Sequence, residues 1–191
     1  MIDLAGSMVE GFRQTAIGSV GKHFPGHGRV LSDTHLSAAT DRRSYNQIAE
    51  DDLVPFIELG RVLDGIMPSH VSYPSIDRVP ASFSGVWLRD ILRDRFGYQG
   101  LVFSDDLSMK AATIHEAPEQ RVREAFAAGC NLALLCNDLD AVDSVLHSFP
   151  SVLKDEFISS GVRDIVDRKG VITTATDDYE IARQILRSMY I

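Results

Sequence analysis

Three clusters of polar residues each follow a short apolar run, and each holds side chains able to attack carbon, move a proton or grip a hydroxyl. The first is Lys22-His23-Phe24-Pro25-Gly26-His27-Gly28, continued by Asp33-Thr34-His35. The second is Met67-Pro68-Ser69-His70, and the third is Phe103-Ser104-Asp105-Asp106-Leu107-Ser108-Met109. An ionised, firmly held carboxylate such as Asp105 is a nucleophile or a base. A histidine, with an ordinary pKa near ~6.5, can give and take a proton near neutrality. Asp33 is two residues from His35, close enough to accept a hydrogen bond from the ring, fix its tautomer and stabilise the imidazolium. Simpler roles fit the neighbours. His27 reads as a brace within its loop, Asp106 as a pairing or capping carboxylate, and Gly26 and Gly28 as positions that allow positive φ. Asp51-Asp52 reads as a solvated helix face, and His70 reads equally well as a structural ring or a pocket-lining one.

The elements that must position these residues follow from the periodicity. Four apolar runs, at 17–22, 63–67, 101–104 and 132–136, are four to six residues long and lack clean alternation, as strands covered on both faces do. Helical patterns separate them: 44–59, 84–96 behind a Ser84 cap, 119–128 ending at Gly129, and 139–147 capped by Asn137-Asp138. The opening residues 1–15 read as a helix, and two further helical stretches lie near 152–167 and 179–189. Strands alternating with helices predict βαβ units and a parallel sheet. Residues 24–43 form the longest stretch without periodicity, and a loop of that length is functional or mobile. It leaves a strand at the carboxyl end, where α/β folds place their sites.

Composition bounds the rest. The 191 residues are 45% hydrophobic and 24% charged, which excludes disordered and low-complexity classes. A net charge of −8 argues against nucleic acid and anionic membrane as partners. No apolar run approaches the ~20 residues of a membrane span, and no leader is visible near the start. The two cysteines, Cys130 and Cys136, lack metal spacing and read as buried free thiols in a reducing, cytoplasmic setting.

Residues 91–108, Ile-Leu-Arg-Asp-Arg-Phe-Gly-Tyr-Gln-Gly-Leu-Val-Phe-Ser-Asp-Asp-Leu-Ser, resemble the signature of family 3 glycoside hydrolases. Together with Lys-His-Phe-Pro-Gly-His-Gly, Asp-Thr-His and Met-Pro-Ser-His, the set is similar to the bacterial β-N-acetylhexosaminidases that recycle cell-wall fragments. The resemblance implies a (β/α)₈ TIM barrel, with residues 1–191 forming one partial catalytic domain, about the carboxyl-terminal half. It implies retaining hydrolysis of terminal β-linked N-acetylglucosamine from muropeptide sugars. By position in the motifs, Asp105 is the nucleophile and His35 the acid/base group, with Asp33 orienting it. Lys22 and His23 bind sugar hydroxyls, and His70 lines the pocket. No metal or organic cofactor is implied.

The family places further strands, and a sugar-binding Asp and Arg, ahead of the Lys-His motif, and nothing in this sequence corresponds to them. That departure leaves three alternatives open. The chain is a weakly active or inactive fragment, it is one half completed by self-association or a complementary amino-terminal half, or it is a phosphorylase of the same family. A histidine acid/base repels phosphate less than a carboxylate does. A nucleotide-binding reading fails because no Gly-x-Gly-x-x-Gly or Walker-type loop follows any strand.

Overall fold

The computed structural model describes residues 1–15, 17–30, 37–112 and 116–148. Asp33, His35 and the helical stretches expected near 152–167 and 179–189 lie outside these. The chain opens with helix α1 (Ile2–Gln14), then strand β1 (Val20–Phe24), the short strand β2 (Ala39–Thr40), and helices α2 (Tyr45–Ala49) and α3 (Val54–Leu59). Strands β3 (Gly65–Pro68), β4 (Val71–Tyr73) and β5 (Asp77–Pro80) precede a 3₁₀ turn at Ala81–Phe83 and a π-wound helix, Val86–Arg95. Strand β6 (Leu101–Asp106), helix α4 (Pro118–Ala128), strand β7 (Leu132–Leu134) and helix α5 (Leu139–Ser148) complete the described chain.

The four apolar runs are the four strands of one sheet, in the order β1-β3-β6-β7 and parallel throughout. Sequential order with helical crossovers is the pattern expected of part of a (β/α)₈ barrel, and it puts every carboxyl end on one rim. The helix ends follow the sequence closely. Ser84 Oγ accepts from Trp87 N–H at 3.1 Å, Asp138 Oδ1 accepts from Ala141 N–H at 3.0 Å, and Gly129 closes α4 at φ +123°.

Two features differ from the sequence reading. The 44–59 helix is two helices, because Pro55 cannot donate within a helix interior and instead occupies the first turn of α3. Its start is as expected: Ser44 and Gln47 form a reciprocal capping box. The second difference is a three-stranded sheet, β2-β4-β5, at the rim. Asp41 N–H donates to Ser72 C=O at 2.9 Å, so the chain returning from the long loop is tied to β4.

Beneath the rim, Phe24, Tyr73 and Trp87 are fully buried. Trp87 meets Phe24 and Tyr73 edge to face, with centroids 5.9 and 5.2 Å apart. Each such pair is worth ~0.5–1.5 kcal/mol beyond its buried area. The cluster stiffens the ends of β1 and β4. Among the described residues, no helix is long and apolar enough to cross a membrane.

Candidate active site

Asp105 is the fifth residue of β6, so its position comes from a strand paired on both sides. Asp105 Oδ1 accepts from the N–H of Asp106 at 2.8 Å. Its other oxygen, Oδ2, lies 3.9 Å from His23 Nε2, too long for a hydrogen bond, and the carboxylate is 13% exposed. Burial pushes the His23 ring below the ordinary histidine value. Asp105 pulls the other way, and Lys22, His27 and His70 add to the lowering. A neutral imidazole therefore faces Asp105 near pH 7, and the pair is not a salt bridge there. Lys22 is exposed at the same strand end, and the His27 ring lies 5.8 Å from that of His23.

His70 sits just past β3 and is 1% exposed. Its Nε2 lies 3.0 Å from the carbonyl oxygen of Asp106. A carbonyl only accepts, so Nε2 carries the hydrogen. Nδ1 is buried without a hydrogen-bond partner among the described residues, and the ring stacks on Phe83 at 5.7 Å and 14°. Burial lowers the His70 pKa, opposed by Asp105 and by the bond to Asp106. A proton on Nδ1 would meet no acceptor among the described residues, and the ring is neutral near pH 7.

The two adjacent aspartates do different work. Asp106 Oδ1 accepts from Ser108 N–H at 2.9 Å, Ser108 O–H at 2.7 Å and Cys136 N–H at 3.0 Å. One oxygen thus ties the end of β6 to the segment after β7. Asp105 carries no such load. His70 and the Asp106 carboxylate grip the same residue from two sides, which immobilises the peptide beside Asp105.

Lys22, His23, His70 and Asp105 therefore converge on the rim from three consecutive strands of the sheet. Asp33 and His35 fall outside the described residues. Three arrangements were not legible in the sequence. Cys136 is exposed rather than buried, because it stands two residues beyond β7 at the rim. Asp52 is only 16% exposed and bonded to Arg43, so it is no solvated helix face. The Asp106 junction joins residues 30 apart with no local pattern to mark it. Of the two motif glycines, Gly26 is at φ +146°, while Gly28 lies outside the left-handed region.

A cleft of about 560 Å³ runs along β1 between α1 and α3. Its walls are largely apolar, from Met8, Phe12, Phe56 and Leu59, and Lys22, His23 and His27 also line it.

The model of the glycosyl hydrolase family 3 N terminal domain matches residues 1–166. The chain is 47% identical over 149 residues to the β-hexosaminidase of Nitrosomonas eutropha, covering 76% of this chain and 42% of that protein. It is 48% identical over 145 residues to the β-hexosaminidase of Idiomarina loihiensis, covering 76% and 44% respectively. Among solved structures, NagZ from Neisseria gonorrhoeae in complex with N-trifluoroacetyl-D-glucosamine aligns with a TM-score of 0.82 at 32% identity. That alignment covers 98% of this chain and 55% of the other. The chain thus spans less than half the length of these two β-hexosaminidases.

Proposed function

Because the chain belongs to glycoside hydrolase family 3, we propose that it acts on terminal β-linked N-acetylglucosamine by retaining double displacement. The substrate class is muropeptide-type sugars in a reducing, cytoplasmic setting. The observation that carries the proposal is the Asp105 carboxylate, fixed at a strand's carboxyl end against a neutral His23 and free of the structural bonds that occupy Asp106. In the first step Asp105 attacks the anomeric carbon, and the glycosidic C–O bond breaks as His35 protonates the leaving oxygen. In the second step His35 takes a proton from water, which attacks the same carbon and releases Asp105. Asp33 holds the His35 tautomer. Lys22 and His23 grip sugar hydroxyls, so binding orients the anomeric carbon over Asp105. His70 serves the same site from below by holding the Asp106 carbonyl. The names of the relatives, β-hexosaminidase and a NagZ bound to an N-acylglucosamine, support the sugar.

The test is to trap the glycosyl-enzyme with a 5-fluoro N-acetylglucosaminyl donor and map the labelled peptide. The expected adduct is on Asp105. A label on another residue, or hydrolysis with inversion at the anomeric carbon, would overturn the assignment. Turnover that requires inorganic phosphate and yields a sugar phosphate would make the protein a phosphorylase instead.

A further inference from the structure

Arg43, which the mechanism above does not use, stands at the centre of a partly buried ion network beneath the Pro25-Gly26-His27-Gly28 turn. Its side chain is 18% exposed, and those of Asp41 and Asp52 are 5% and 16% exposed. The guanidinium faces Asp41 with Nη2 at 2.6 Å and Nε at 2.9 Å from Oδ2, and the Arg43 N–H donates to Asp41 Oδ1 at 2.9 Å. The same Nη2 donates to Asp52 Oδ2, and Nη1 reaches Asp51 Oδ2 at 3.4 Å. Arg29 approaches the network at Asp51, with Nη2 at 3.3 Å from Oδ2.

Asp52 lies directly under the turn. A Cβ built on Gly26 would stand 2.2 Å from Asp52 Cβ, and one on Gly28 would stand 3.5 Å from Asp52 Oδ1. On the opposite side, Tyr73 O–H donates to the Gly26 carbonyl, and the ring of Tyr73 is fixed against Trp87. The two stems of the long loop are therefore linked through one guanidinium, Asp41 beside β4 by bonding it directly and Gly26 after β1 by lying against Asp52, which bonds it.

We propose that Arg43 is a positioning residue: through Asp52 it clamps the turn at residues 26–28 and so fixes the Lys22-His23 strand end opposite Asp105. The planar fork is what the site requires, because one cation must face Asp41 with two nitrogens while reaching Asp52. A lysine ammonium supplies the charge without the fork. Exposed ion pairs, such as those of Asp51 here, are worth little, but Arg43, Asp41 and Asp52 form a shielded core of three side chains with shared geometry. The clamp stands on the geometry alone, whereas its consequence for sugar binding rests on the glycosidase reading.

Amide hydrogen exchange on the whole chain tests it, using Arg43→Gln, Arg43→Lys, Asp52→Asn and the double variant Arg43→Gln/Asp52→Asn. Asp52→Asn keeps the shape of the side chain and decides the question alone if Arg43→Gln does not fold. Exchange at residues 26–30 is expected to rise ~10-fold in either single variant, with β6 unchanged. Arg43→Lys should fall between, and the double variant should exchange no faster than the faster single one, because both residues act through one contact. Unchanged exchange at 26–30, an equal rise in β6, or multiplicative effects in the double variant would each overturn the clamp. Affinity for N-acetylglucosamine should fall ~10-fold in Arg43→Gln with partial rescue in Arg43→Lys, the pattern of a fork that orients rather than a charge that attracts. A parent chain that binds no N-acetylglucosamine would count against the proposed function, and the exchange data would still decide the clamp.

Discussion

Replacing Asp106 with Asn, and Asp105 with Asn in a parallel variant, should separate stability from chemistry at neighbouring positions. The Asp106 carboxylate oxygen accepts three hydrogen bonds, from Ser108 N–H, Ser108 O–H and Cys136 N–H. Bonds to a charged acceptor are worth ~1.5–3 kcal/mol and neutral ones ~0.5–1.5, so an amide oxygen in the same place forfeits ~1 kcal/mol per bond. Cys136 is exposed and water compensates part of the loss, leaving a net cost of ~1–2 kcal/mol. At ~2–4 °C per kcal/mol for a chain of this size, Asp106→Asn should lower Tm by ~2–8 °C. Among the described residues Asp105 accepts only from the N–H of the next residue, and its other oxygen faces a neutral imidazole at 3.9 Å. Asp105→Asn should therefore stay within ~0.5 kcal/mol of the parent. Thermal melts at one protein concentration give the stability order, and a chromogenic β-N-acetylglucosaminide gives turnover. The expected result is a stable, inactive Asp105→Asn beside a less stable, active Asp106→Asn. The reverse order of melting temperatures would refute the division of labour between the two carboxylates.

The depressed pKa values of His70 and His23 make stability fall with acidification. Below the ordinary histidine value near ~6.5 the unfolded chain binds protons that the folded rings refuse, so unfolding is favoured as pH drops toward the folded values. His70 alone can contribute a slope of up to ~1.4 kcal/mol per pH unit in that window, and His70→Phe should flatten the profile of Tm between pH 7 and 5. An unchanged slope in that variant would remove His70 as the cause. The thiols should also differ: burial pushes the Cys130 thiol up to about 12, whereas Cys136 is exposed. Iodoacetamide on the native chain should give one adduct, on Cys136, with Cys130 alkylated only after denaturation. Two native adducts at equal rates would contradict the burial of Cys130.

Much of the fold is written locally. Short runs of Ile, Val and Leu between helical patterns predict buried parallel strands, and the four sheet strands stand where those runs do. Gly129 ends a helix because only its backbone takes φ +123° without penalty, and Asp138 starts one because its carboxylate meets an orphan N–H three residues on. The candidate residues were visible too, because strand ends in a parallel α/β fold share one rim, which places Lys22, His23, His70 and Asp105 at the same end of the sheet. The resemblance to a known family then supplied roles that spacing alone left open.

Tertiary structure decided what depends on which distant groups meet. The strands of the β2-β4-β5 sheet are two to four residues long and carry no apolar run, so neither hydrophobicity nor periodicity marks them. Asp105 and Asp106 are identical in type and adjacent in sequence. They diverge because Ser108 and Cys136 reach one of them, while the other faces His23. Asp51-Asp52 looks like a solvated pair until Arg43, nine residues before Asp52, folds back onto it. The physical reason is the same in each case. Periodicity, capping and turn chemistry act within a few residues and leave a mark along the chain. Burial, ion pairing and the neutrality of His70 depend on neighbours that only the closed fold brings within a few ångströms.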